Sequence, residues 1–317
     1  MIVALNKAVY RNAKERRYAC PAMRRRGCIF TTERSRFNEA HAIIDVLKDA
    51  RRAKPLDFLA RKGQYKGVII SEKDGAKRIS SAFRANQYDF EIGYNKKDAT
   101  IWRPFMCNEL NRRTNITIAQ ALLGGPLRRR TPDWQGLRAS RWPEQQRAVA
   151  AFVSNCVGWR LEYLRELRRH VRVESFGGCL HNNDSCPKGG PRKCDKVLMS
   201  GAFRFVFAFE NKEESHYVTE KVYTGLRSGA VPIYKGAPEI LQHVPGAGSV
   251  ILADSFDSAA ALGSHLKKLM EDDSAYATHF QWDLPSFATS EAAAQCPWQC
   301  RTCEWLLAKR AARSRAR

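Results

Sequence analysis

The sequence lacks several features that would assign it quickly to a class. Its 317 residues contain no apolar run long enough to cross a bilayer and no signal-peptide pattern. It has no internal repeats, which excludes repeat architectures. Zinc-finger spacing, an aromatic RNA-binding motif and a basic zipper are also absent.

Acidic residues are scarce relative to basic ones. The chain has 54 Lys and Arg against 32 Asp and Glu, a net charge of +22. Such a balance favours an anionic partner, for example nucleic acid. The basic residues stand in short scattered runs, however, at 24–26, 128–130 and 310–317. An anionic ligand explains part of the charge and a bias towards Arg explains the rest, so a nucleic-acid-binding α/β protein is kept only as the alternative from another class.

The cysteines and the hydrophobic content indicate a globular protein with disulfides. Hydrophobic residues make up 44%, and the length suits two domains. Ten irregularly spaced cysteines favour an oxidising compartment, and Asn115 and Asn183 head glycosylation triplets that agree with it. Because no second cysteine pair follows Cys303, a zinc site is disfavoured. We predict structural disulfides instead, linking Cys300 with Cys303 and Cys186 with Cys194.

The most informative stretch of the chain is 203–236. An apolar run at 203–209 predicts a strand, residues 217–228 predict a helix, and 230–234 predict a second strand. The pattern is a β–α–β unit, whose two strands should be parallel. Pro232 predicts that the second strand is irregular or lies at a sheet edge.

The predicted helix carries an apolar face and a polar stripe. Tyr217, Glu220, Lys221 and Thr224 follow helical spacing, near the helix N-terminus and just past the carboxyl end of a strand. Open α/β sheets bind ligands there, and helix dipoles favour phosphate. Lys221 can neutralise a phosphate, Glu220 can accept hydrogen bonds from ribose, and Tyr217 can stack on a ring. From spacing alone, the simpler interpretation is an amphipathic helix with a solvated Glu–Lys face.

Strand and helix patterns alternate along the rest of the chain, on both sides of a polar, Pro-containing linker at about 124–145. The predicted strands lie at 67–71, 88–94, 98–104, 148–156, 171–179 and 249–253, and the other predicted helices at 160–170 and 258–270.

Three motifs in 207–238 resemble the donor-site pattern of the α1,3-fucosyltransferases, glycosyltransferase family 10. They are F-x-F-E-N at 207–211, Y-V-T-E-K at 217–221 and G-x-V-P-I-Y-x-G-x-P at 229–238. F-V-S-N-C, S-F-G-G-C, H-N-N-D and the C-x-x-C tail are most similar to the plant-type core α1,3-fucosyltransferases.

The resemblance implies an α/β fold of the GT-B type, with two doubly wound Rossmann-like domains facing across a cleft. Residues 1–145 would then bind the acceptor, 146–285 would bind GDP-fucose, and 286–317 would form a Cys-containing basic tail. Members of the family are usually type II membrane proteins of the Golgi, active in its lumen. The resemblance therefore implies an amino-terminally truncated chain, with membrane contact only through an anchor outside this sequence.

The activity implied by the resemblance is inverting transfer of fucose, a hexosyltransferase reaction. The donor is GDP-fucose, and the acceptor is a GlcNAc hydroxyl of a glycoprotein or oligosaccharide. The plant-like motifs favour an α1,3 linkage to the N-glycan core. A Lewis-type α1,3/4-fucosyltransferase acting on lactosamine and an inactive binding protein with the same fold remain alternatives.

Transfer requires that the leaving pyrophosphate be neutralised and that a base accept the acceptor's proton. The sequence has no Asp-x-Asp motif, so we expect no required metal cofactor, although Mn or Mg can stimulate turnover. Lys221 and Arg160 are the candidate cations, and Arg160 follows S-N-C where the family carries a donor-binding Arg. Asn211, Tyr217 and Glu220 match donor-contacting positions of the family motifs.

The predicted catalytic base is Glu72. It ends the apolar strand 68–71 in the half expected to hold the acceptor, and the family places its proposed catalytic Glu at the end of a similar strand. The family pattern usually continues with Ser, whereas Lys73 follows here. Asp74 and Glu91 therefore remain alternatives, as does a solvated Glu72 in a charged turn.

Overall fold

The structure of the protein is a computed structural model. It describes residues 1–5, 15–20, 23, 27–47, 60–70, 88–97, 99–107, 143–185, 195–282, 286–287 and 290–315. The chain divides into two compact units, one formed by residues 1–107 with 294–317 and the other by residues 108–293.

The first unit is built on a sheet that contains seven strands within the described residues, in the order β2-β3-β1-β4-β5-β6-β7. Every neighbouring pair is parallel except β2 and β3. The strands are β1 Ile2–Leu5, β2 Arg16–Tyr18, β3 Cys28–Thr31, β4 Ala42–Leu47, β5 Tyr65–Ile70, β6 Phe90–Gly93 and β7 Ile101–Trp102.

The central strands of this sheet are mostly apolar, as expected for strands buried on both faces, although β4 contains Asp45 and β5 contains Lys66. Ile43 and Val68 are fully buried, for example. Trp298–Arg315 forms a helix of the same unit, α7, which is the last helix in chain order. The Trp305 ring lies 4.8 Å from that of Phe90. The carboxyl-terminal residues therefore pack as part of the amino-terminal core.

Three disulfides explain this arrangement. They join Cys20 to Cys300, Cys28 to Cys303 and Cys107 to Cys296, all within the first unit. The predicted link between Cys300 and Cys303 is wrong, because each of these cysteines bonds to a partner at least 275 residues away. The predicted link between Cys186 and Cys194 lies outside the described residues, as do Asn115 and most of the predicted linker.

The second unit contains five described strands in one parallel sheet, in the order β9-β8-β10-β11-β12. The strands are β8 Ala148–Ala151, β9 Arg172–Ser175, β10 Phe205–Phe207, β11 Val231–Tyr234 and β12 Ile251–Leu252. The helices that its described residues form are α1 Gly158–His170, α2 Lys196–Ser200, α3 Glu220–Ser228, α4 Ala259–Glu271, α5 Asp273–Ala277 and the short α6 Glu291–Ala294.

Alternation along β10 covers both faces of this sheet. Phe205 and Phe207 point into a core with Leu164 of α1 and Leu262 of α4. Val206, between them, points to the opposite face and packs in a second cluster. Because side chains alternate across a strand, the run F-V-F fills two cores at once, as a doubly wound sheet requires.

Helix α3 packs against β11 through a glycine. A methyl group at Gly225 would lie 2.8 Å from Pro232, so only glycine permits this approach. Gly229 ends the helix in the left-handed conformation, with φ of 77°, as predicted from its position.

The predicted edge position of β11 is wrong, because the strand lies between β10 and β12. Val231 and Ile233 bond towards β10, and the pairing with β12 begins only at Ile233. Pro232 therefore lies before the first residue that pairs with β12, where no backbone N–H is needed as a donor. This is why a proline is tolerated in an interior strand.

A fourth disulfide, Cys156–Cys179, joins the segments that follow β8 and β9, and its two cysteines are 23 positions apart in the sequence. Replacing both cysteines by Ser is expected to lower the free energy of unfolding by about 3 kcal/mol, since a closed loop of this length restricts the unfolded chain. Urea denaturation of both proteins measures the difference. An unchanged midpoint and slope would show that this disulfide contributes nothing to stability.

Candidate active site

The sheet of the second unit reverses its strand order between β8 and β10, since β9 lies on one side and β11 on the other. Ligands of open α/β sheets bind at such a switch point, outside the carboxyl ends of the strands. A cleft with about 420 Å³ of empty space, part of it open to solvent, lies there. Its lining residues are Phe152, Val153, Arg160, Lys196, Val206, Phe207, Phe209, Glu220, Lys221 and Thr224.

Arg160 lies in the first turn of α1 and is only 2% exposed. Its Nη1 donates to the Phe209 carbonyl at 3.2 Å and to Asn211 Oδ1 at 2.6 Å, and its Nη2 donates to the Asn155 carbonyl. Its Nε has no hydrogen-bond partner in the described part of the chain. Burial lowers the pKa of this guanidinium, and the charge of Glu210 opposes the shift. The group stays protonated, so the cleft contains a buried cation with an unused donor.

A second polar cluster lies at the start of α3. Glu210 is fully buried, and its carboxylate accepts hydrogen bonds from the backbone N–H and the hydroxyl of Thr219. Lys221 Nζ donates to Glu210 Oε2 at 2.8 Å and to Thr219 Oγ1 at 2.7 Å, with 25% of the side chain exposed. Burial raises the pKa of Glu210, while the charge and hydrogen bond of Lys221 oppose the shift. The ammonium of Lys221 is thus held at the cleft by a buried carboxylate.

The helix starts three residues later than its sequence pattern predicts. Thr219 has an extended backbone, with φ of −99° and ψ of −172°, because its N–H donates to the Glu210 carboxylate and the residue does not join the first helical turn. Tyr217 therefore precedes the helix, where it is 6% exposed, and the predicted stripe from Tyr217 to Thr224 does not form. Of the predicted apolar face, Val222, Gly225 and Leu226 are buried on the helix, whereas Val218 is buried in the segment that precedes it.

The structure brings the predicted donor residues together only in part. Arg160, Glu220 and Lys221 line the same cleft. Asn211 is bonded to Arg160 behind it, and Tyr217 is buried beside that pair, within electrostatic reach of Arg160. Burial raises and the Lys221 charge lowers the pKa of Glu220, with a net lowering.

Sequence reasoning missed two residues of this site, Glu210 and Lys196. Glu210 lies inside the F-x-F-E-N motif, so its place there was the available signal. Lys196 begins α2 behind the N-cap Asp195, and no motif marks it. The predicted base Glu72 and its alternative Asp74 lie outside the described residues. Glu91 lies within β6, paired with Val68, and is half-buried.

Two absences are limited to the described residues. No group of three or more His, Cys, Asp or Glu side chains suited to a metal ion occurs among them. Likewise, none of the helices they form combines the length and apolar character needed to span a membrane. Asn183, which heads a glycosylation triplet, has both ends of its amide bonded, to Glu174 and to the Ser185 N–H.

A buried histidine pair lies beside the loop that carries Tyr217. His216 Nδ1 is 3.1 Å from His243 Nε2, and Glu239 accepts the backbone N–H of His216. Burial and the neighbouring His216 lower the pKa of His243 to about 4. The neutral His243 thus holds one end of the loop through its contact with His216.

This pKa predicts an acid-sensitive fold. An unfolded His243 titrates near 6.5 and the folded one near 4, so the unfolded state binds the proton more readily between these values. The stabilisation is complete above pH 6.5 and falls by about 3 kcal/mol as the pH drops through 4. Denaturation at several pH values should give a shallower pH dependence for His243→Gln than for wild type. The partly exposed His279→Gln is the comparison variant and should keep the wild-type slope, and equal slopes for all three would contradict the assignment.

Comparison with solved structures identifies the fold class of this protein. A crystal structure described as alpha1,3-fucosyltransferase has a TM-score of 0.60 at 15% identity, covering 88% of this chain and 81% of that one. A second, with GDP, has a TM-score of 0.58 at the same identity and coverage. At this identity the likeness establishes the fold. The predicted α/β class, GT-B with Rossmann-like sheets, is confirmed.

The sequence establishes the family. Residues 142–316 match the family described as Glycosyltransferase family 10 (fucosyltransferase) C-term. The chain belongs to glycosyltransferase family 10, the fucosyltransferases, as its motifs predicted.

The curated relatives differ in what their names say they act on. GDP-fucose protein O-fucosyltransferase 3 of Gallus gallus is 37% identical over 132 residues, which are 39% of this chain and 27% of that protein. The human protein of the same name is 34% identical over 129 residues, with the same coverage. A putative fucosyltransferase-like protein of Arabidopsis thaliana is 32% identical over 172 residues, 52% of this chain and 32% of that protein. The matched stretches thus span about a third or less of these relatives' length.

Proposed function

We propose that this protein transfers fucose from GDP-fucose to a hydroxyl group of a glycoprotein, with inversion at the sugar. The observation that supports the donor is the cleft at the switch point, where Arg160, Glu220 and Lys221 meet. Two cations and a carboxylate in one cleft suit a diphosphate next to a ribose. The family match gives no support to the alternative of a nucleic-acid-binding protein.

The chemistry follows from the charges in the cleft. Negative charge develops on the diphosphate as the bond to fucose breaks, so fixed cations stabilise the transition state more than the ground state. Arg160 offers its unpartnered Nε, and the Lys221 ammonium has a third N–H beyond those given to Glu210 and Thr219. Glu220, in the first turn of α3, can accept hydrogen bonds from ribose hydroxyls.

Three acceptors remain to be distinguished, and specific observations favour two of them. The plant-like motifs favour an N-glycan core GlcNAc and an α1,3 linkage, whereas the relatives named protein O-fucosyltransferase 3 favour a Ser or Thr hydroxyl. Incubation with GDP-fucose and either a core N-glycopeptide, lactosamine or an unglycosylated polypeptide tests them. The fucose of the donor is labelled. Release of the label by N-glycanase digestion indicates a bond to the N-glycan, and release by β-elimination indicates a bond to Ser or Thr. Absence of transfer to all three, despite GDP binding, would favour an inactive binding protein.

Lys221→Ala is expected to weaken GDP binding about ten- to a hundredfold, because it removes a charge-assisted bond to phosphate of about 1.5–3 kcal/mol. Acceptor affinity should hardly change. Calorimetric titration with GDP measures the first effect. Lys267→Ala, on the α4 surface, is the matched control. Unchanged GDP affinity in Lys221→Ala would contradict the donor site.

We also propose that the protein works in the Golgi lumen, attached there by an anchor outside this sequence. The four disulfides support an oxidising compartment. Thiol titration of denatured, unreduced protein should find none of their eight cysteines free.

A further inference from the structure

Glu210 is a fully buried carboxylate beside the cleft, and the proposed reaction does not use it directly. Its Oε1 accepts from the Thr219 N–H at 2.7 Å and from the Thr219 hydroxyl at 2.9 Å. Its Oε2 accepts from Lys221 Nζ at 2.8 Å and shares with Oε1 the single hydroxyl proton of Thr219, whose oxygen lies 2.8 Å away. Both oxygens are therefore occupied by donors, and the side chain has no exposed surface with which to touch a substrate.

We propose that Glu210 is a positioning residue, which fixes the Lys221 ammonium and the first turn of α3 for the diphosphate of the donor. The proposal deepens the proposed function and rests on it. Glu210 acts through two neighbours: it orients the Thr219 hydroxyl, and that hydroxyl and the carboxylate together hold Lys221 Nζ.

The residues around Glu210 hold its side chain in one position. Its backbone N–H donates to the Lys235 carbonyl at 2.8 Å, which ties it to the chain beyond β11. Gly236 lies so close that a methyl group there would approach Glu210 Cγ to 2.7 Å. Because the carboxylate cannot turn away, its geometry is passed to Lys221, which is only partly exposed and would otherwise sample several rotamers.

Only a carboxylate fits this arrangement. A Gln side chain has one oxygen and one NH₂ group, so it would aim a donor either at the Thr219 N–H or at the Lys221 ammonium. Two donors facing each other in a buried site repel, and the exposed partner, Lys221, is the group that can leave. Glu210→Gln therefore keeps the size of the side chain but displaces the cation from the cleft.

The test is a double-mutant cycle read by GDP calorimetry. Glu210→Gln is expected to weaken GDP binding about tenfold or more when Lys221 is present, comparable with the loss of one charge-assisted bond. In a Lys221→Ala background the same change should weaken GDP binding less than about twofold, because the ammonium that Glu210 positions is no longer present. Glu166→Gln, the same change on the exposed surface of α1, should leave GDP affinity at the wild-type value.

Equal losses in both backgrounds would overturn the proposal, because a merely structural role does not depend on Lys221. Wild-type affinity in Glu210→Gln, together with weak binding in Lys221→Ala, would also overturn it while the proposed function stands. Wild-type affinity in Lys221→Ala would instead mean that the donor site itself is misplaced.

If the Glu210→Gln protein does not fold, a second pair of variants tests the same proposal. Thr219→Val keeps the shape of the side chain but removes the hydroxyl shared by Glu210 and Lys221, whereas Thr219→Ser keeps the hydroxyl. We expect Thr219→Val to bind GDP at least about fivefold more weakly than Thr219→Ser, and only when Lys221 is present. Equal affinities for GDP in the two variants would overturn the proposal.

Discussion

Replacing Glu72 by Gln is expected to lower turnover about 10²–10⁴-fold, the usual contribution of a general base. Gln keeps the size of the side chain but cannot take the proton from the acceptor hydroxyl. Glu72 follows Ile70, the last residue of β5, and the carboxyl end of a parallel strand is where catalytic groups of such sheets lie. GDP affinity should stay near the wild-type value, because every lining residue of the described cleft belongs to the unit of residues 108–293.

The alternatives for this role are Asp74 and Glu91. Glu91 is the second residue of β6 and pairs with Val68 inside the sheet, so it lies before the carboxyl end of its strand. Steady-state kinetics of Asp74→Asn and Glu91→Gln complete the comparison. Normal turnover in Glu72→Gln with a collapse in one of the other two would move the role to that residue.

Arg160→Ala is expected to reduce both GDP affinity and stability. The change removes a buried cation from the cleft and leaves the buried Phe209 carbonyl without its donor, together with two partly solvent-accessible acceptors on Asn155 and Asn211. A charge-assisted bond to phosphate corresponds to about ten- to a hundredfold in affinity, and each acceptor left unsatisfied costs about 1–3 kcal/mol of unfolding free energy. Calorimetry with GDP and urea denaturation measure the two effects separately.

Two further variants sharpen this result. Arg165→Ala removes an exposed arginine from the same helix and should change neither quantity by much. Arg160→Lys keeps the charge but cannot reach three acceptors at once, so it should recover GDP affinity more than stability. Wild-type stability in Arg160→Ala would contradict the network described here.

The elements of the donor unit could be predicted because local pattern and burial agree in them. The predicted helix at 258–270 is α4, Ala259–Glu271, begun by the side-chain cap of Ser258. The run at 203–209 contains β10, which is shorter than predicted but flanked by the buried Phe203 and Phe209. Helix α1 likewise matches its pattern, with Leu164 and Leu167 buried.

What could not be predicted depends on contacts between distant residues. The start of α3 is decided by Glu210, which binds the Thr219 N–H across nine positions, so local spacing misplaced Tyr217 on the helix. The place of Pro232 depends on where β12 begins to pair. The disulfide partners of Cys300 and Cys303 lie at the other end of the chain, and cysteine spacing carries no record of connectivity.

The discontinuous first unit also has a consequence for biosynthesis. Its sheet is encoded by residues 1–107, but the helix that covers it and three of its disulfide partners are encoded after residue 293. As the ribosome proceeds from the amino terminus, Cys20, Cys28 and Cys107 emerge long before Cys300, Cys303 and Cys296 exist. Residues 108–293 are therefore synthesised in full before the first unit is, and Cys20, Cys28 and Cys107 gain their disulfide partners only after residues 296–303 have been added.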